Sequence, residues 1–437
     1  MSGIEIGLFG IVALVVCILS GMNVMVALGV VGTVGLGVIA GPNGTLGVLR
    51  AVFYDTTHSF HFSVIPMFLM MGFFAMRAGL GEDLFEAATR WLGGMRGGLA
   101  IATTGGAAAF GAASGSSIGT TTLFTRLALP EMLDRGYDPR LASASIAISG
   151  TLAVMIPPSA LVVVYGILTE SSIGALLIAG VFPGLVFAFL LGLATWLWVR
   201  INPALAPLIP NTSTFRERMW SLRLAGPLLL LIIGIIGGLY AGVFTPTEAG
   251  AIGALATFIM AIIRQRSIRG IGIPKVVSDT VQTTAMIFGI IVTALVFSKF
   301  LALSGLAGAI GDFLTTADVN RWVIVLLVTI LYLFLGMMMD APPLLAISLP
   351  ITHPVMMELG FDPIWFGIYV VLLCEIGAVT PPVGINCFVV QGASEGRVRL
   401  EEIFKGLLPY IGAGLVMLLI LCLFPQLALY LPNTMRG

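Results

Sequence analysis

Two stretches of this 437-residue chain bring hydroxyls, glycines and a carboxylate together with paired prolines, a combination suited to holding ions. The first joins Ser114-Gly115-Ser116-Ser117 to Ser149-Gly150-Thr151 and Ile156-Pro157-Pro158 downstream. The second joins Gly336-Met337-Met338-Met339-Asp340 to a run from Gly377 through Thr380-Pro381-Pro382-Val383-Gly384-Ile385 to Asn386. Proline lacks an N–H, so a Pro pair inside a helix leaves upstream carbonyls without donors. Free carbonyls with neighbouring hydroxyls suit a hard cation such as Na⁺, and the exposed N–H end of a broken helix suits a carboxylate. The expected ligands of a first cation site are Ser114, Gly115, Ser116, Gly150, Thr151 and Ile156. Those of a second are Asp340, Gly377, Thr380 and Val383. Ser116, Ser117, Pro158, Thr380, Pro382 and Asn386 are expected to hold a substrate between them.

The two stretches are copies of one unit. Pro130, Gly136, Pro139, Pro157 and Pro158 match Pro354, Gly360, Pro363, Pro381 and Pro382 at a constant offset of 224 residues. A weaker echo precedes them: Gly21, Gly29 and Gly32 lie 221 residues before Gly242, Gly250 and Gly253. Ser114–Ser117 alone would read as small-residue helix packing. Its place at a polar tip, repeated at Gly336–Asp340, favours the ligand reading.

The elements that must position these residues follow from composition. The chain is 58% hydrophobic and only 10% charged, against about 25% charge in a soluble domain. Its apolar runs are continuous rather than alternating, which argues for spanning helices and against a β-barrel. The reading is an all-α polytopic membrane protein with spans at about 4–20, 22–40, 60–78 and 174–199, then 226–243, 246–263, 280–302 and 406–430. Two long helices, 141–167 and 364–390, are broken at the Pro pairs. Residues 98–130 and 321–352 have apolar arms too short to cross twice, and read as re-entrant hairpins. A polar linker, 200–223, with Pro203, Pro207 and Pro210, joins the halves. The domains are then a first repeat, 1–215, and a second, 216–437.

Each half has five spans and one hairpin, so the second is inverted relative to the first. Placing both termini outside leaves Arg50, Lys299, Arg321 and Arg436 outside and the other seventeen of 21 Lys and Arg inside, the bias expected of cytoplasmic loops. The first hairpin (98–130) then opens inward, and the second (321–352) opens outward. Inverted repeats with broken helices are the architecture of secondary transporters, with the site near mid-membrane.

Other residues carry less. Glu375, aligned with Thr151, either holds the second break by hydrogen bonds or takes part in proton coupling. Glu248, after Thr245-Pro246-Thr247, reads as part of a helix opening. Arg126 reads as snorkelling to the interface. Cys17, Cys374, Cys387 and Cys422 lack metal or redox spacing. Zero net charge gives no basic patch for nucleic acid. There is no HExxH, GxSxG, Walker loop or CxxC. An intramembrane hydrolase using Ser116 or Asp340 would need an activating His or Lys, or a second aspartate at depth, and has none.

The chain resembles the large, DctM-like membrane subunit of tripartite ATP-independent periplasmic (TRAP) transporters over nearly its whole length. The resemblance rests on Ile65-Pro66-Met67-Phe68-Leu69-Met70-Met71-Gly72, Ser114–Ser117, Leu129-Pro130-Glu131-Met132 and Gly136-Tyr137-Asp138. It continues through Gly150-Thr151-Leu152, Ala179-Gly180-Val181-Phe182-Pro183-Gly184, Phe244–Ala249, Gly336–Asp340 and Thr380–Asn386. It implies an elevator-type fold of the wider ion-transporter superfamily in the bacterial inner membrane, and Na⁺-driven import of organic acids such as C4-dicarboxylates. It also implies two partners, a small four-helix DctQ-like membrane subunit and a soluble periplasmic binding protein. Family ion sites would map to the two tips and breaks named above. The sequence departs from the family pattern at Gly119, Ala153 and Pro342-Pro343. The alternative is a stand-alone cation-coupled carboxylate symporter that needs no binding protein.

Overall fold

The computed structural model describes residues 2–208, 213–266, 268–316 and 320–435; Pro210 and Arg436 lie outside them. Among the described residues every regular element is helical. Seven helices among them are long and apolar enough to cross a membrane, and an eighth counts if the bent pair Pro139–Met155 and Ala160–Leu168 is one span. The two stretches expected as hairpins are each a pair of helices: Gly98–Ser114 with Ser117–Asp134, and Arg321–Gly336 with Ala341–Glu358. Both expected broken helices form as well. The first runs Pro139–Ser149, Leu152–Met155 and Ala160–Leu168; the second runs Pro363–Gly377 and Ile385–Ala393.

The repeat extends to individual hydrogen bonds. After the first hairpin, Gly136 N–H donates to the Leu133 carbonyl at 2.9 Å and Tyr137 N–H to Met132 at 3.0 Å. After the second, Gly360 donates to Met357 at 2.9 Å and Phe361 to Met356 at 3.1 Å. Gly136 and Gly360 have φ of 79° and 77°, the left-handed conformation that closes a helix C-terminus and that glycine adopts without a Cβ penalty. The next helices open alike, on the caps Asp138 and Asp362, each followed by a proline. Pro157-Pro158 and Pro381-Pro382 are both cis.

Several elements differ from the expectation. The span expected at 22–40 is a 35-residue helix, Val24–His58, kinked at Gly41 (φ 68°) ahead of Pro42. The Gly-Pro step and the polar residues Asn43, Arg50 and Asp55 hid its second part from an apolar-run reading. Two amphipathic helices, Leu80–Leu92 and Leu306–Thr316, were not expected because polar residues interrupt both, Glu82, Asp83, Glu86 and Arg90 in the first and Asp312, Thr315 and Thr316 in the second. The helix expected at 280–302 runs Ile273–Ser304. The helix expected at 226–243 begins inside the polar linker, at Phe215, on a Thr214–Glu217 capping box. The last expected span divides into Leu400–Leu423 and Gln426–Thr434 at Phe424-Pro425.

The broken helices hold the longest buried runs among the described residues. Every residue from Leu141 to Val164 and from Trp365 to Val379 is buried. Around them, Val64–Arg77 packs on Pro246–Gln265 through close approaches. A Cβ on Gly250 would lie 2.9 Å from Met67 Cβ, and one on Gly253 would overlap Met71 Sδ. The glycine echo thus marks a helix–helix seam.

Candidate functional site

The first hairpin tip is built by one turn. The helix Gly98–Ser114 ends on Gly115 in the left-handed region (φ 58°), and the return helix starts on Ser116, whose Oγ caps Gly119 N–H at 3.1 Å. Ser114 is 5% exposed and its hydroxyl lies 2.7 Å from that of Thr120. This tip rests on the first break. A Cβ on Gly115 would be 3.3 Å from the Pro158 carbonyl, and one on Gly150 would be 3.0 Å from the Ser117 carbonyl. The structure therefore brings Ser114, Gly115, Ser116, Ser117, Gly150 and Pro158 into one neighbourhood. The Thr151 hydroxyl donates to the Ile148 carbonyl at 2.6 Å, which leaves its lone pairs free to accept. Ile156, 7% exposed, sits where Gly184 passes: a Cβ on Gly184 would come 2.6 Å from its side chain. Gly180 similarly abuts the Met155 carbonyl.

Sequence reading missed Thr121. It is fully buried, and its hydroxyl has no hydrogen-bond partner among the described residues. A Cβ on Gly150 would overlap its Oγ1, so the hydroxyl occupies the space that Gly150 leaves. An unsatisfied buried hydroxyl costs about 1–3 kcal/mol, and a bound cation would offset that. The available signal was its position, one helical turn beyond Ser117.

The second tip repeats the plan with different groups. Asp340 stands at the offset of Ser116 and is also a helix N-cap, its Oδ1 accepting Ala341 N–H at 2.9 Å. Pro342 and Pro343 fall in the first turn, where N–H groups have no intrahelical partner, so the departure from the family pattern fits the helix start. The first arm meets the second break at Gly336 and Gly377: a Cβ on Gly377 would be 2.7 Å from Gly336 Cα. The corresponding seam of the first repeat pairs Gly111 with Ala153. Thr380 donates its hydroxyl to Ile376 O at 2.6 Å. Asn386 N–H donates to the Ala378 carbonyl at 3.1 Å, across the break.

Asn386 carries the strongest sign of a ligand. It is 1% exposed, and neither Oδ1 nor Nδ2 has a partner among the described residues. A buried amide with both ends unsatisfied is rare in a native structure. One end donates and the other accepts, which fits an oxyanion and a cation side by side. The two breaks differ in access. Residues 150–158 are all buried, whereas Pro381 and Pro382 are exposed and Val383 half-buried. Cys387 enters the second break through its thiol on the Val379 carbonyl at 3.5 Å, and among the described residues no group of three or more His, Cys, Asp or Glu is placed to hold a metal ion. Oxygen ligands of this kind suit a hard cation rather than a transition metal.

A separate cavity of about 990 Å³ is walled by Asp55, His61, Glu170, Thr245 and Glu248. No candidate ligand lines it, and three carboxylates make it unsuited to an anion. Glu248 has the helix-opening role read from sequence: its carboxylate accepts Thr245 N–H at 2.8 Å in a capping box. Arg126 is exposed.

Residues 11–427 match the family described as "Tripartite ATP-independent periplasmic transporter, DctM component". The chain is 36% identical over 380 residues to the C4-dicarboxylate TRAP transporter large permease protein DctM of Pseudomonas aeruginosa, covering 87% of this chain and 88% of that one. It is 30% identical to the sialic acid TRAP transporter large permease protein SiaM of Vibrio cholerae, covering 87% and 88%. The crystal structure of the Alcanivorax borkumensis YdaH transporter superposes with a TM-score of 0.63 over 90% of this chain and 88% of that one, at 15% identity, a likeness of fold.

Proposed function

The chain belongs to the DctM-component family of tripartite ATP-independent periplasmic transporters, and on that premise we propose that it is the permease subunit through which Na⁺ drives import of a small organic acid. Its relatives are transporter permease subunits and not enzymes. The observation that carries the proposal is Asn386, buried with both amide atoms unpartnered beside the second break. A substrate carboxylate takes Nδ2 and the tip N–H groups near Ser116 and Ser117. Cations take the oxygens of Ser114, Thr121 and Thr151 on one side, and of Asp340, Thr380 and the break carbonyls on the other. The C4-dicarboxylate named for one relative and the sialic acid named for another are both carboxylates, the class that such a site would hold.

Two partners belong to this reading, a small membrane subunit and a periplasmic protein that delivers the substrate. The setting is the bacterial inner membrane, with both termini on the periplasmic side. Movement is of the elevator type: the hairpins and broken helices travel together against the surrounding helices. Their close glycine seams, Gly111 with Ala153 and Gly336 with Gly377, support a unit that moves as one body.

The test is uptake of radiolabelled succinate into proteoliposomes holding this chain and its small subunit, with the binding protein outside. Accumulation should require an inward Na⁺ gradient and the binding protein. Accumulation that survives collapse of the gradient would sink the coupling, and accumulation without the binding protein would favour a stand-alone symporter.

A further inference from the structure

The helix Phe215–Tyr240 is longer than a bilayer requires. It has 26 residues and so spans about 39 Å at 1.5 Å each, against a hydrocarbon core of about 30 Å. The polar surplus lies at its start: Arg216, Glu217, Arg218 and Arg223 precede an apolar run from Leu224 to Tyr240. The first two turns therefore stand at the level of the lipid headgroups. Arg216, Trp220 and Arg223, spaced by four and three residues, share one helix face, and all three are exposed. An indole between two cations is the composition of a membrane–water interface.

A second element meets this segment. On the amphipathic helix Leu80–Leu92, Trp91 Nε1 donates to the Arg218 carbonyl at 3.2 Å and the Arg90 guanidinium to the Glu217 carbonyl at 3.5 Å. Just beyond that helix Gly97 abuts Val199: a Cβ there would lie 3.0 Å from Val199 Cγ2, so Arg96 and Arg200 flank one contact. The carboxylates at this junction are engaged. Glu86 pairs with Arg90 at 2.5 Å, and Glu217 accepts Thr214 N–H at 2.7 Å. Arg96, Arg200, Arg216, Arg218 and Arg223 form no ion pair among the described residues.

Arg218 shows that the cluster is more than a row of solvated charges. It is half-buried, and its Nε is fully covered with no hydrogen-bond partner among the described residues. Snorkelling would carry a guanidinium into water. Here one N–H of the cation has lost its water without replacement, a cost that an anion beside the group offsets. We propose that this junction is a binding surface for anionic phospholipid. One headgroup phosphate seats on Arg218 beside Trp91, and the outward face of Arg216, Trp220 and Arg223 holds others. A cluster of arginines at the end of a spanning helix supplies the charge, and the exposed indoles supply the interfacial contact. The inference rests on the bilayer setting and not on the cation or substrate sites.

The experiment is native mass spectrometry of the purified, detergent-solubilised chain titrated with phosphatidylglycerol, with phosphatidylcholine and with glycerol 3-phosphate. Phosphatidylglycerol should bind at least about tenfold more tightly than phosphatidylcholine, and Arg218→Gln should weaken it about fivefold, the effect of one basic side chain at an anionic surface. The exposed pair Arg216→Gln with Arg223→Gln should weaken it further, leaving phosphatidylcholine binding unchanged. Equal binding of the two lipids would overturn the inference. So would selectivity that survives in every variant, which would put the lipid elsewhere. Glycerol 3-phosphate competing at equal concentration would make this a site for free phosphate esters and overturn the lipid assignment. Loss of phosphatidylglycerol on adding the small membrane subunit would give the surface to that subunit, with the same consequence. If Arg218→Gln does not yield folded protein, the Arg216 and Arg223 variants decide alone.

Discussion

Gly336 and Gly377 meet backbone to backbone: a Cβ on Gly336 would lie 3.0 Å from Gly377 Cα, and a Cβ on Gly377 would lie 2.7 Å from Gly336 Cα. The second hairpin can press against the second break only because neither residue has a side chain. A backbone neighbour cannot rotate aside as a side-chain end can. Gly377→Ala should therefore overpack the seam and cost about 1–3 kcal/mol. A lowered Tm, together with a reduced uptake rate, is the expected result. A Tm equal to wild type would mean that the seam yields freely and does not brace the site.

The Asp83–Arg264 ion pair makes an asymmetric prediction. Asp83, on the amphipathic helix Leu80–Leu92, has a side chain only 4% exposed, while that of Arg264 is 42% exposed. Arg264→Gln strands a buried carboxylate, and breaking a buried pair this way costs about 3–5 kcal/mol. Asp83→Asn leaves an arginine that water can reach, so its cost should be clearly smaller. The Tm values of the two variants, measured side by side, check the order. The reverse order would show that Asp83 is hydrated in solution.

The helix breaks and the helix ends that flank them were legible in the sequence because Pro and Gly act locally. Pro157-Pro158 and Pro381-Pro382 must interrupt a helix whatever surrounds them, and Gly136 and Gly360 must end one. Leu80–Leu92 and the second part of Val24–His58 were hidden because their stability comes from one buried face, and an apolar-run reading sees only helices that are apolar all round. Thr121 was hidden for a different reason. Only the fold brings its hydroxyl to the gap at Gly150, and its spacing from Ser117 is all that sets it apart from Thr120 and Thr122 in the local sequence. Glu375 was legible as a residue out of place, but the burial of its Oε2 without a partner depends on how the helices around it pack.

Asp138 gives a pH prediction away from the membrane core. Its carboxylate accepts Arg140 N–H at 2.8 Å as a helix N-cap and pairs with the Arg140 guanidinium at 3.0 and 2.8 Å. The hydrogen bonds from the Arg140 side chain hold it below the usual carboxylate range. A carboxylate lowered on folding stabilises above its unfolded value, near 3.9, and loses that contribution as pH falls through the lower folded value. The Tm difference between wild type and Asp138→Asn should therefore be level from pH 8 to about 5 and shrink as pH falls through about 4 and below. A difference that grew on acidification would contradict the assigned ion pair.

Asn386 separates a structural role from a binding role through stability. If its amide only filled space, the two unpartnered atoms would be a standing cost, since each buried unsatisfied group carries about 1–3 kcal/mol. Asn386→Leu removes both atoms at similar volume, so the substrate-free protein should keep its Tm or gain a few degrees. The same change removes the donor for a carboxylate and the acceptor for a cation, so Na⁺-driven uptake should fall at least about a hundredfold, the scale seen when a site loses a hydrogen-bonding group made for its substrate. Higher stability with lost transport is the signature of a group retained for its ligand. Uptake within twofold of wild type would remove Asn386 from the site. A large fall in Tm would show that the amide is satisfied within the protein itself.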